Sequence, residues 1–248
     1  MKKILLPVFI LLAELSFGQK NYFSFNADSL YSEKQVRLIY ETMAKGTPDN
    51  YIIEPTIYHK ILKKDSIINY LAFVAQKSNP YIDKNFKFVF KQDSLFLLLN
   101  KKLPAFKLMD LNGHAFSSTQ LIGKPALINY WAIYCGPCIA EFPQLDELKA
   151  KYGHKMNFIA ITENICAKDN LRKFLEKNPF NFYILENGED YKKTLKISAI
   201  PRNIFIDKEG YVRYILANFP YEIINPKTGE RKYSKNNFFV KIIEELIM

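Results

Sequence analysis

Eight residues constrain this chain more than any others: Trp131-Ala132-Ile133-Tyr134-Cys135-Gly136-Pro137-Cys138. They close a buried-strand pattern, Ala126 to Trp131, and open a helical one running from Gly136 to Tyr152. Ile139, Phe142, Leu145 and Leu148 fall on one stripe of that helix, and a kink is expected at Pro143. Strand and helix patterns alternate around this junction. Pro104 to Gly113 reads as a hairpin with a turn. A strand at 158–162, a helix at 168–177, a strand at 182–185 and a short helix at 191–196 follow. Strands at 203–206 and 212–216 flank the turn Asp207-Lys208-Glu209-Gly210, and a further turn is expected at 226–229. The chain ends in an amphipathic helix with Phe239, Ile242, Ile243, Leu246 and Ile247 on its apolar face. Such alternation implies an α/β sheet.

The two cysteines carry the chemistry. A strand-to-helix junction puts Cys135 at a helix N-terminus, where free N–H groups and the helix dipole stabilise a thiolate. Cys138 reaches the same sulfur and is the natural resolving thiol. Cys-x-x-Cys also fits half a zinc site, but zinc needs a second ligand pair. The remaining Cys is Cys166, and His59, His114 and His154 have no metal-ligand spacing. No metal and no cofactor is expected beyond the redox-active Cys135–Cys138 disulfide. A static bridge is the alternative, but it has no use for the helix end. Cys166 reads as an idle thiol, with a third redox thiol as the sharper possibility.

Composition excludes several classes. At 48% hydrophobic and 24% charged, the 248 residues can bury a core, which excludes a disordered chain. The net charge of +10 comes mostly from scattered lysines rather than clustered arginine forks, so no nucleic-acid partner is expected. Residues 1–18 read as a signal peptide: Lys2 and Lys3, an apolar run from Ile4 to Leu15, then small residues at Ser16 and Gly18. That run is short for a membrane span. Residues 19–100 read as a small α+β domain of unassigned role. Ser32-Glu33-Lys34-Gln35 is a capping box, with Val36, Ile39, Tyr40 and Met43 at helical spacing behind it. A second helix is expected from Ile61 to Ala75, and a strand over 86–90 with 95–99 as its hairpin partner.

Residues 103–248 resemble the TlpA/ResA-like envelope thiol–disulfide oxidoreductases. The matching pieces are Pro104-Ala105-Phe106, Gly123-Lys124-Pro125, Leu127 to Ala132, Cys135 to Cys138, Glu141-Phe142-Pro143 and Ala199-Ile200-Pro201. The resemblance implies a thioredoxin-like fold, with the helix and strand near 168–185 as an insertion. It implies a cis Ile200–Pro201 peptide facing the disulfide, where the Ile200 backbone pairs with an extended substrate. Trp131, Gly136, Pro137, Ile200 and Pro201 are then the substrate-binding set. Asn129 stands where thioredoxin itself has a buried acid, and an amide cannot shuttle a proton. Glu141, three residues after Cys138, becomes the acceptor for the Cys138 proton. Protein disulfides of the envelope, or periplasm, are the implied substrates, and a membrane thiol relay the implied electron donor.

Two positions depart from the family. Arg202 follows the proline where Thr is common, and Tyr134 precedes Cys135 where Trp is common. A cation beside the disulfide is expected to lower the thiolate pKa or to select acidic partners. The Gly-Pro dipeptide resembles reducing thioredoxins, which favours a reductase over an oxidase. Two other readings stay open. One is a peroxiredoxin-like peroxidase with antioxidant activity, which lacks the Thr expected before its reactive Cys. The other is a client-binding module built on residues 19–100. Nothing in the pattern sets an oligomeric state.

Overall fold

The computed structural model describes residues 19–25, 30–78, 85–225, 230–233 and 237–248. The signal-peptide reading of 1–18 and the turn expected at 226–229 lie outside the described residues. Among those described, no helix is long and apolar enough to cross a membrane. The chain divides into two compact units: among the described residues, the first holds 19–24 and 30–89, and the second holds Phe25 and the residues from Phe90 onward.

The first unit contains β1 (Lys20–Ser24), α1 (Glu33–Lys45), β2 (Tyr51–Leu62) and β3 (Ser66–Lys77), and the chain leaves it through β4 (Val89–Phe90). Their sheet runs β1-β3-β2-β4, with β1 parallel to β3 and β2 antiparallel to it. The capping box forms as expected: Ser32 Oγ accepts the Gln35 N–H at 3.4 Å, and Gln35 Oε1 accepts the Ser32 N–H at 2.8 Å. Val36 is fully buried beneath it.

The helix expected at 61–75 is instead the turn and second arm of a long hairpin. Lys63 N–H donates to Ser66 O at 2.8 Å, and the residues beyond pair with β2. Ile67, Ile68, Tyr70, Phe73 and Val74 are β-branched or aromatic. Such side chains fit a pleated, half-buried surface better than a helix, and here the strand partner decided. Of the strand expected at 86–90, only Val89–Phe90 pairs; Phe88 stacks on Phe23 at 4.5 Å and Phe86 meets Tyr40 edge-on. Its supposed partner is a 3₁₀ turn, Ser94–Leu98. Asp93 caps that turn by accepting the Leu95 N–H at 3.0 Å, a local bond that competes with strand pairing.

The second unit is built on a seven-stranded mixed sheet. Its elements in chain order are β5 (Lys107–Asp110), β6 (Ala115–Ser117), β7 (Ala126–Trp131), α2 (Gly136–Tyr152), β8 (Asn157–Thr162), α3 (Cys166–Asp169) and α4 (Leu171–Lys177). Then come β9 (Tyr183–Glu186), α5 (Glu189–Leu195), β10 (Arg202–Ile206), β11 (Val212–Leu216), β12 (Tyr221–Asn225), β13 (Glu230–Tyr233) and α6 (Phe238–Leu246). The sheet order is β11-β10-β7-β8-β9-β5-β6, with β7, β8 and β9 parallel and β10 antiparallel to β7. β12 and β13 pair antiparallel in a separate two-stranded sheet. The helix expected at 168–177 is two pieces, because Asn170 takes a left-handed conformation (φ 52°). α2 runs on through Pro143.

β7 is central and covered on both faces, so all six of its residues are buried. Trp131 at its end sits on Phe142 edge-on at 5.1 Å, and Phe142 stacks on Phe180 at 4.0 Å. Aromatic contacts of this kind each contribute about 1 kcal/mol beyond area burial. Phe239, Ile242 and Ile243 of α6 seal the core beside Phe205. The redox segment thus continues directly from a fully buried strand.

Candidate redox site

Cys135 is the N-cap of α2, and its Sγ accepts the Cys138 N–H at 3.3 Å. The two sulfurs are bonded, with Cα atoms 5.3 Å apart. Cys135 is 6% exposed and Cys138 fully buried, so attack from outside falls on Cys135. Pro137 lies in the first turn, where a missing N–H breaks no helix bond. The loop before Cys135 is pinned from β8: Asn164 Oδ1 accepts the Ile133 N–H at 2.9 Å and the Thr162 hydroxyl at 3.0 Å.

The sequence-derived substrate set divides. Gly136 and Pro137 are exposed at the mouth of the site, and Tyr134 beside them is 67% exposed. The Ile200–Pro201 peptide is cis. Ile200 is half-buried against the same core cluster that contains both cysteines. Trp131 is a correction: at 1% exposure, enclosed by Phe142, Phe174 and Phe180, it has no face left for a substrate and acts as a packing residue.

Arg202 is a second correction. Its guanidinium pairs with Asp93 at 3.2 Å, with both side chains about one-eighth exposed (12% and 13%). The cation therefore already has a carboxylate partner inside the unit, which weakens its field at the disulfide. The same Asp93 caps the 3₁₀ turn, so Asp93→Ala removes a cap and strands a nearly buried cation. We expect it to lower stability by about 3 kcal/mol, and Asp93→Ala/Arg202→Met together by clearly less, as urea denaturation would read.

Glu141 lies one turn beyond Cys138 on α2 and is 2% exposed. Its Oε2 accepts the Phe219 N–H at 2.6 Å; its Oε1 accepts from Asn129 Nδ2 at 2.9 Å and from Asn203 Nδ2 at 3.3 Å. Burial pushes the carboxyl up to about 7, against the pull of these three donors. A carboxyl group poised there changes charge near neutrality and can hold a proton in transit.

Three features escaped the sequence reading. Asn203 is one, although a lone amide inside Asn203-Ile204-Phe205-Ile206 signals a buried bond that must be paired. Asn164 is another. The third is a chain on the rim: Tyr134 donates to Glu163, which pairs with Lys192 Nζ at 2.6 Å. Cys166, at the start of α3, is half-buried, and burial followed by the Glu186 carboxylate pushes its thiol pKa up. That is the reverse of an activated thiol. Among the described residues, no cluster of His, Cys, Asp or Glu is arranged to hold a metal. A cavity of about 440 Å³ with Leu111, Leu175, Phe180 and Tyr183 in its wall includes none of the site residues.

The Redoxin family model matches residues 98–222, just over half of the chain and all of the cysteine, Glu141 and cis-proline positions. The chain belongs to the Redoxin family. Within it, the chain is an oxidoreductase similar to thioredoxin-like and ResA thiol-disulfide oxidoreductases. Thioredoxin-like protein YneN of Bacillus subtilis is 26% identical over 117 residues, which span 46% of this chain and 69% of that one. Thiol-disulfide oxidoreductase ResA of Bacillus cereus (strain ZK / E33L) is 27% identical over 124 residues, 50% of this chain and 72% of that one. Among solved structures, a putative thiol:disulfide interchange protein DsbE from Chlorobium tepidum is 21% identical. It covers 60% of this chain and 98% of its own, with a TM-score of 0.49. The Redoxin match excludes β1 to β4, so the first unit is additional to the shared domain.

Proposed function

We propose that this oxidoreductase is an exported reductase of protein disulfides in the cell envelope. The observation that carries the reading is the sulfur of Cys135 at the N-cap of α2, receiving an N–H from Cys138 and lying at the mouth formed by Gly136 and Pro137. Both features stabilise a thiolate on the outer sulfur.

In the reduced protein, the Cys135 thiolate attacks one sulfur of a substrate disulfide. A Cys135–substrate disulfide forms and the other substrate sulfur leaves as a thiolate. Glu141 takes the proton of Cys138, which then attacks Cys135 Sγ. The Cys135–Cys138 bond forms and the second substrate thiolate leaves. Two electrons pass from the protein dithiol to the substrate, and the protons end on its thiols. A dithiol on the membrane is the class of donor that restores the protein. The cis Ile200–Pro201 segment offers the Ile200 backbone to an extended substrate. Export rests on the Lys2-Lys3 start and apolar run of residues 1–18.

The test is the Cys135/Cys138 reduction potential, by equilibrium titration against a dithiol buffer. A value near about −270 mV is expected of a reductase. A value near roughly −120 to −180 mV belongs to oxidants and isomerases and would overturn the direction proposed.

A further inference from the structure

We propose that Asn203 and Asn129 are a positioning pair that turns N–H groups toward the Glu141 carboxylate, with the Ala217 carbonyl setting the direction of both. The proposal deepens the reading of Glu141 as the proton acceptor and rests on it.

The strand register brings the pair together. β10 runs antiparallel to β7 with Asn203 directly opposite Asn129, and both side chains are fully buried. Each amide has a donor end and an acceptor end, so each has two ways to lie. Asn203 Nδ2 donates to Ala217 O at 2.7 Å. A carbonyl oxygen only accepts, so this bond permits one orientation of Asn203: nitrogen toward Ala217 and Glu141, oxygen toward Asn129. That oxygen in turn requires a donor, and Asn129 Nδ2 supplies it at 2.9 Å. The same nitrogen then reaches Glu141 Oε1 at 2.9 Å, joined by Asn203 Nδ2 at 3.3 Å.

This arrangement leaves Asn129 Oδ1 buried without a partner. Reversing Asn129 would set its oxygen against both Asn203 Oδ1 and Glu141 Oε1, so the orphan persists. The remaining group on Glu141 is the Phe219 N–H, from the segment after β11. From β7, from β10 and from that segment, Glu141 therefore meets donors alone. None of the described residues brings a charged side chain to it, and its own helix neighbour Cys138 is held in the disulfide. Donors favour the carboxylate over the acid. The pair thus opposes burial and keeps Glu141 able to lose its proton near neutrality. Asn203 lies two residues beyond the cis-proline, so the strand that would carry substrate also holds the acceptor.

The experiment is a pH titration of the Glu141 carboxyl in the full-length oxidised protein. It is read by carboxyl ¹³C NMR, with the resonance assigned by its loss in Glu141→Gln. Asn203→Leu removes the amide at similar size and is expected to raise the midpoint by about one pH unit. Asn203→Ser, whose hydroxyl keeps a donor and an acceptor, is expected to raise it by less. A midpoint in Asn203→Leu equal to wild type overturns the pair. If the Leu variant does not fold, the Ser variant decides on the same criterion. The pH profile of disulfide exchange in Glu141→Gln separates the two readings. An unchanged profile there, with the NMR midpoint still moved by Asn203, sinks the acceptor role of Glu141 and leaves the pair standing.

Discussion

Cys135→Ser is expected to abolish reduction of a small aromatic disulfide, by on the order of 10³-fold or more, because a hydroxyl at a helix end is not a nucleophile at neutral pH. Cys138→Ser should behave differently. Cys138 is fully buried and Cys135 is the sulfur nearer solvent, so the first attack survives and resolution does not. The expected product is a stoichiometric Cys135–substrate disulfide, seen as an adduct by mass spectrometry and released by added dithiol. The order of events would be wrong if Cys135→Ser, rather than Cys138→Ser, accumulated the adduct. The fold should tolerate both changes in the reduced state. Cys135 caps α2 through an oxygen-replaceable sulfur, and Ser is itself a strong N-cap residue.

The second large effect is on stability, and it has a definite sign. In the folded protein Glu141 titrates at about 7, against an ordinary value of 4.5. Between those values the folded state holds a proton that the unfolded chain has released. Stability is therefore greatest below about pH 4.5 on this account and falls as pH rises through 7. The difference converts to about 3 kcal/mol. Oxidised wild-type protein should show a lower urea midpoint at pH 8 than at pH 5. Glu141→Gln should lose most of that difference, since an amide does not titrate. A wild-type midpoint independent of pH across this window would show that the carboxyl is not perturbed in this way. The direction also exposes a conflict: above pH 7, where Glu141 is best able to accept a proton, it most destabilises the fold.

The redox pair was legible because its signal is local. Two cysteines three apart at a strand-to-helix junction require only chain geometry to place one at an N-cap. The alternation after residue 103 was legible for the same reason, since helix and strand periods differ in any window of a dozen residues. The failures came where a partner outside the window decided. Residues 66–77 carry enough apolar groups for either period, and pairing with β2 settled them as strand. Trp131 was placed at the substrate surface on family likeness, yet the covered faces of β7 enclose it in aromatic rings. Arg202 reads from the sequence as a cation beside the disulfide, and the fold gives it Asp93, 109 residues away, as its counter-ion.

The sequence by itself determined the groups available: two cysteines three apart at the start of a helix, and a carboxyl one helical turn behind. Only the tertiary structure decided the condition of that carboxyl. Burial, a strand register that sets Asn203 against Asn129, and a backbone carbonyl at Ala217 together fix how strongly Glu141 holds a proton. The reason is physical. Thiol reactivity at a helix end follows from a few consecutive residues, whereas a buried charge responds to every dipole around it, and those dipoles come from β7, β10 and the segment beyond β11.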